Sequence, residues 1–259
     1  MFRFRIVWAL MLSAAIPVSA LADSGSSPMF TAVMPDIVAR SIELHGGDLF
    51  RRSEVNFQLC SRSGCAEVRV WRRGGRYEHE VEGRLGGALR RLLVTNDAVK
   101  LWTEAGESTS IAPEEEQSWR DAATSRMYHA FLPFRLADPS VRFADLGVET
   151  WGERELHRVA VGFEAGTSSA DYDQWAFWFD AETARLEQFA YSYRGSPDGL
   201  RFRQLHRFRR VEGLLFADQV NLGWEGPGLS VAELSPESIS RLREVSRVEF
   251  RELSVRILD

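Results

Sequence analysis

From Glu54 to Glu104 apolar and polar residues alternate with a period of two, and short turn pairs interrupt the alternation. The segments EVNFQLC, CAEVRVWRR, RYEHEVE, RRLLVTN and AVKLWTE carry it, with Gly74-Gly75 and Asn96-Asp97 among the turns. A side chain returning to one face every second residue marks a half-buried strand, and short turns join antiparallel neighbours. The pattern resumes at Val141 in VRFADLGVE, LHRVAVGFE, DYDQWAFWFD, RLEQFAYSYR, LRFRQLHRFRR and LLFADQVNLGW, and RVEFRELSVRIL closes the chain. No helix follows each strand, as a parallel sheet requires. The expected class is α+β: one large antiparallel sheet with its helices on one face.

Two longer helical patterns punctuate the strands. In VMPDIVARSIELHGG, Pro35 suits a first helical turn, while Ile37, Val38, Ser41, Ile42 and His45 form one stripe. Gly46-Gly47 ends it as a left-handed cap. In APEEEQSWRDAATSRMYHAFLPF, Pro113 opens the helix and three glutamates complement the positive end of its dipole. Its buried stripe is Trp119, Ala123, Met127, Ala130 and Phe131, with Tyr128 beside it. A short helix is expected near Pro236–Arg243, after the linker EGPGLSVAELSPES.

The first residues, MFRFRIVWALMLSAAIPVSALA, have the layout of a secretory signal peptide: Arg3 and Arg5, an apolar run, then Ala20-Leu21-Ala22. Removal of residues 1–22 would leave 23–34 as a flexible segment and 35–259 as a single domain. The net charge then moves from −5 to about −7, because two arginines go. Such an acidic chain has no electrostatic footprint for nucleic acid. RFRQLHRFRR is the local exception: Arg201, Arg203, Arg207 and Arg209 share strand parity with Leu205. A solvated strand face is the first reading, and a contact to anionic head groups is the sharper one.

Cys60 and Cys65 flank Ser-Arg-Ser-Gly, a hairpin loop that brings its ends to disulfide distance. Export favours a bond between them, worth about 2 kcal/mol for so small a loop. A redox or metal pair is the alternative, although the spacing is not C-x-x-C.

Chemistry-bearing motifs are sparse. The five histidines form no H-x-x-x-H or H-E-x-x-H cluster, so no metal is expected. His45 ends a helix, where the dipole favours a proton and free carbonyls can meet the ring. A hydrolase using His45 or His129 with a carboxylate is the enzymatic alternative. No G-x-S-x-G and no phosphate-binding glycine loop occurs, and no cofactor is expected. Asp171 and Asp173 share a strand side, as an acid–base pair or as part of a solvated loop. Aromatic bulk stands out instead. Trp175, Phe177 and Phe179 share one side of their strand, Phe189, Tyr191 and Tyr193 one side of the next, and the Asp180–Arg185 turn puts both sets on a common face; Val159, Val161 and Phe163 form a third such set. Trp178, with Tyr172, points the other way, which a sheet wet on its outer side should not favour.

Several segments resemble a branch of the periplasmic lipoprotein-carrier (LolA/LppX-like) superfamily in which a His-Gly-Gly ends the opening helix. ARSIELHGG is similar to that helix, and MYHAFLPFRLADPSV to the mid-chain helix exit, with Tyr128, Leu132, Pro133 and Phe134 in place. WAFWFDAETARLEQFAYSY is similar to the branch's hairpin, and RRVEGLLFADQV to its Val-x-Gly-Leu turn. Ala217 stands where the branch has proline. The resemblance spans most of Pro35–Trp224. It implies a curved, half-open β-barrel with helices on its concave face, enclosing an apolar cavity.

The combined expectation is a non-enzymatic, exported, periplasmic protein. It would bind a hydrophobic ligand, a lipid or a lipoprotein acyl chain, between sheet and helical lid. The lid is Glu114–Phe131, contributing Trp119 and Phe131. Facing it are Val161, Trp175, Phe177, Phe179 and Tyr191, with Trp102 from AVKLWTE. The alternative is a structural or interaction module of the cell envelope with a filled core and an envelope-protein partner.

Overall fold

The strands form in chain order as two meanders. The first comprises β1 (Ser53–Ser61), β2 (Gly64–Arg73), β3 (Arg76–Leu85), β4 (Ala88–Thr95), β5 (Val99–Thr103) and β6 (Ser108–Thr109). The second comprises β7 (Val141–Trp151), β8 (Arg154–Phe163), β9 (Trp175–Asp180), β10 (Leu186–Ser192), β11 (Gly199–Val211) and β12 (Leu214–Glu225). The computed structural model describes residues 29–259, apart from 62–63, 86, 107, 110, 165–173, 193–198 and 226–228. The side chains of 108–109, 124–126 and 128–130 also lie outside the description. Among the described residues, thirteen strands make one antiparallel sheet, in the order β6-β5-β4-β3-β2-β1-β13-β12-β11-β10-β9-β8-β7.

The last strand, β13 (Arg243–Ile257), leaves the meander order. It lies between β1 and β12, pairing Val55 with Val255 on one side and Gln219 with Val248 on the other. One strand therefore fuses two hairpin stacks into a continuous sheet, and β6 and β7 remain as its edges.

Apolar side chains cover one face of the first meander and both faces of the second. On one side of the first meander, Val55, Phe57, Val68, Val70, Val81, Leu92, Val94 and Leu101 form a floor. Helix α2 (Pro113–Ala130) packs on β3, β4 and β5 of that floor through Ala123 and Met127, with Trp119 partly buried. In the second meander, Val159, Val161, Trp175, Phe177, Phe179 and Phe189 pack against Ile37 and Val38 of helix α1 (Asp36–His45), and against Leu132 and Leu136. The expected single lid is thus divided. It is α1, and not α2, that lies over the aromatic hairpin, because the chain after α2 turns down into the sheet at Leu132–Leu136.

The opposite face of the second meander is not wet. Trp178 is fully buried there with Leu156, Ala176, Ala190, Leu200 and Phe202, under Val231 and Leu234 of the segment leading to helix α3 (Pro236–Ile239). Arg158 pins this cover: its guanidinium donates to the carbonyls of Val231 at 2.8 Å and Ala232 at 3.1 Å, and lies 4.9 Å from the Trp178 ring centre. Glu149 accepts from the indole N–H groups of both Trp151 and Trp178. Tyr172, Tyr193 and the Asp171/Asp173 pair lie outside the described residues.

Two further expectations change. Residues 23–34 are not loose throughout, since Thr31 exchanges two 2.8 Å backbone hydrogen bonds with Phe143 of β7. The arginine row of β11 is interrupted by a bulge between His206 and Arg209, where Arg207 takes φ 51°. Arg207 and Arg209 both bind the buried Asp218 carboxylate, which also accepts from the Phe250 N–H. Arg203 reaches the Tyr191 hydroxyl and Gln219. These arginines bind partners on neighbouring strands, while the Arg207 side chain stays largely exposed.

Candidate ligand-binding face

Eight residues were expected to line an apolar site, and the fold sorts them into three groups. Trp175, Phe177, Phe179, Val161 and Tyr191 come together on β8–β10, as their parity requires. Trp175 stacks on Tyr191 at 4.6 Å and on Phe177 at 6.2 Å, and Phe177 stacks on Phe189 at 5.8 Å. Trp119 and Phe131 belong to the α2 side, where Phe131 contacts Phe50 at 5.0 Å and Phe57 at 6.0 Å. Trp102 joins neither. It follows the buried Leu101 on β5 and therefore faces away, with the Arg91 guanidinium 4.7 Å from its ring centre.

Exposure separates packed wall from reachable surface. Phe177, Phe179 and Phe189 have no accessible surface. Among the described residues they are enclosed by Val159, Val161, Leu186 and the α1 side chains, as a packed core is. The cluster opens towards its Phe163 end, where Trp175, Tyr191 and Phe163 keep some exposure.

Helix α2 is held differently from α1. Its first turn carries Glu114, Glu115 and Glu116, and most of the helix is polar. Trp119, Ala123 and Met127 fasten it to the floor. Arg120 adds a polar latch, donating to the Thr95 carbonyl at 2.7 Å, to the Tyr77 hydroxyl at 3.4 Å and to Glu116 at 3.1 Å. By contrast α1 is locked at its end. Gly46 has φ 131°, and a Cβ there would stand 2.5 Å from the Leu214 side chain, so this helix end and the β11–β12 turn fit only with glycine.

His45 is buried beside that end. Its Nδ1–H donates to the Ser41 carbonyl at 2.8 Å, as a helix-terminal ring should. The proton expected from the helix dipole is disfavoured, because burial lowers its pKa from 6.5 to about 4. No carboxylate contacts His45 among the described residues, and the charges acting on it are Arg210 and Arg185. The ring is therefore neutral at pH 7, with its proton on Nδ1. The His129 side chain lies outside the description. Among the described residues no group of three or more His, Cys, Asp or Glu gathers as a metal site. Cys60 and Cys65 are paired residues of the β1–β2 ladder and form the disulfide.

One group escaped the sequence reading. Arg72 continues the Val68, Val70 alternation of β2, and His79 continues that of Val81 on β3, so both are directed at the apolar floor. A charged residue in phase with buried valines was the available signal.

Residues 84–225 match the family of unknown function DUF6503, and the chain belongs to that family. No curated protein matches it in sequence. Among solved structures it is similar to a LolA superfamily protein from Nitrosomonas europaea, at 10% identity over 86% of this chain and 93% of that one, with a TM-score of 0.48. It is similar in the same degree to a DUF1329 family protein from Desulfovibrio piger, at 10% identity over 85% and 90% of the two chains and a TM-score of 0.48. Lipoprotein LppX from Mycobacterium tuberculosis is 12% identical over 62% of this chain and 90% of that one, with a TM-score of 0.30.

Proposed function

We propose that this chain is an exported, periplasmic, non-enzymatic protein that binds a hydrophobic ligand, a lipid or a lipoprotein acyl chain, between its sheet and a helical lid. The observation that carries the reading is the contrast between α2 and the floor beneath it. A polar helix fastened by Trp119, Ala123 and Met127 covers the β3–β5 part of a continuous apolar floor that runs on to β1. Lifting such a helix exposes that surface to a ligand without unpairing the sheet. Burial of an alkyl chain there would contribute ~25 cal/mol per Å² of apolar area, several kcal/mol for a long acyl chain.

Trp119 and Phe131 then form the lid side of the site. Val161, Trp175, Phe177, Phe179 and Tyr191 belong to the separate cluster under α1 and stand outside that site in this reading. The signal-peptide layout of residues 1–22 supports export. Native mass spectrometry of protein isolated gently from its source tests the proposal. A lipid-sized mass addition is expected; ligand-free species only, with no response of tryptophan emission to fatty acids or phospholipids, would remove it.

One observation favours the alternative of an envelope interaction module, namely the filled centre at Phe177, Phe179 and Phe189. That reading requires capture of one specific envelope protein by lipid-free material.

A further inference from the structure

The apolar floor under α2 ends in charge. Arg72 lies with its guanidinium carbon 4.8 Å from the centre of the Phe50 ring and 5.9 Å from that of Tyr77. Phe50 in turn stacks on Phe134 at 4.4 Å, and Phe131 is 5.0 Å away, so the cation borders the core directly. The Arg72 Nη2 stands 3.5 Å from Nε2 of His79, which is 2% exposed.

Charge compensation at this spot is incomplete. Arg135, on the turn Phe134–Ala137, and Arg51, on the turn Gly47–Arg52, both act on Arg72. Asp138 is the carboxylate acting on it, and Asp138 is bound to Arg135 at 2.8 Å. Arg51 is paired with Asp48 at 4.0 Å, so Arg72 and Arg135 share the one carboxylate of Asp138. Burial first, then Arg135, pushes the Arg72 pKa down to about 10, and burial with Arg72 pushes His79 down to about 3.

Two donors are left over. Among the described residues, the Arg72 Nε and the His79 Nδ1 are both buried without a hydrogen-bond partner. With His79 neutral and its Nε2 facing an Arg72 N–H, the remaining ring proton sits on Nδ1. A half-buried cation with an idle buried donor, beside a second idle donor, is unfavourable unless an acceptor completes it. The contact with the Phe50 ring offsets only part of that, roughly 0.5–2 kcal/mol for a cation–π pair.

We propose that Arg72 and His79 form the head-group site of an anionic amphiphile whose alkyl chain runs along the floor beneath α2. An oxyanion there would accept from both idle donors and would be attracted by Arg135 and Arg51 at the rim. Carboxylate and phosphate share this chemistry. The site rests on the apolar-ligand reading, since it sits where that floor ends.

Isothermal titration with dodecanoate, dodecyl phosphate and dodecanol separates the two ideas. The wild-type protein is expected to bind both anions at least about tenfold more tightly than the alcohol, the factor that one charge-assisted contact supplies. The tighter anion of the two identifies the head group. Arg72→Met should erase the preference, bringing both anions to the level of dodecanol, and Arg72→Lys should retain part of it. Equal binding of all three ligands by wild type overturns the head-group site and leaves the apolar site standing. So does an undiminished preference in a folded Arg72→Met protein. Binding of none of the three removes both. If Arg72→Met does not fold, the wild-type preference and its reduction in Arg72→Lys decide the matter.

Discussion

Arg158 and Trp178 are stacked, with the guanidinium carbon 4.9 Å from the indole centre, on the face of the second meander opposite Phe177. The same guanidinium holds the carbonyls of Val231 and Ala232 and faces Glu149 at 3.6 Å. This pair explains why a sheet can be apolar on both sides: the segment before α3 is tied across its back. Arg158→Ala should lower stability by about 3 kcal/mol, the effect of breaking a buried charge network. Urea unfolding measures the loss, and hydrogen exchange at residues 231–234 should accelerate most.

The lid latch gives a second expectation. Arg120→Ala removes the bonds to Thr95 and Tyr77 that join α2 to the edge of the first meander. Each is worth about 1 kcal/mol, so global stability should fall slightly. Amides of 113–130 should exchange faster than in wild type, while those of 36–45 stay unchanged. Equal acceleration of both helices would mean that α2 is not a separate unit.

Buried histidines set the pH dependence. His45 and His79 have folded pKa values lowered by burial to about 4 and about 3, from 6.5 in the unfolded chain. Between those limits the unfolded chain binds more protons, so stability is full above pH 6.5 and falls as the pH drops towards 4. Each ring contributes on the order of 2 kcal/mol of loss by pH 4.5. Urea midpoints at pH 7.5 and 4.5 should differ less in His79→Phe than in wild type.

The Cys60–Cys65 disulfide closes a short hairpin loop. Its reduction should lower stability by only about 2 kcal/mol. Thermal unfolding with and without dithiothreitol checks this. Binding of apolar ligands should survive reduction, because the β1–β2 ladder continues through Val55–Val70 and Phe57–Val68 without the bond.

Much of this architecture is legible locally. Period-two alternation locates the strands because each is apolar on one face, and the hairpin spacing of Cys60 and Cys65 predicts their bond. The His45-Gly46-Gly47 helix end is legible for the same reason: the contacts that specify it are near in sequence. The place of β13 is not, since pairing Val55 with Val255 depends on closure of almost the whole chain. The division of the lid is hidden too. Phe177 is as compatible with α2 as with α1 until the Leu132–Leu136 segment is seen to descend between them. Trp178 misleads because the residues covering it, Val231 and Leu234, lie within the linker EGPGLSVAELSPES, which has no strand pattern of its own. Arg72 was overlooked as one arginine among many, although its phase with Val68 and Val70 set it apart.

The central claim is that an alkyl chain lies between α2 and the floor of the first meander. Photo-crosslinking with a diazirine-bearing fatty acid, followed by peptide mapping, tests it most directly. Adducts are predicted in peptides covering 113–131 and in the strands β3 to β5. Adducts confined to the 229–242 cover of the other face, or none above a denatured control, would contradict it.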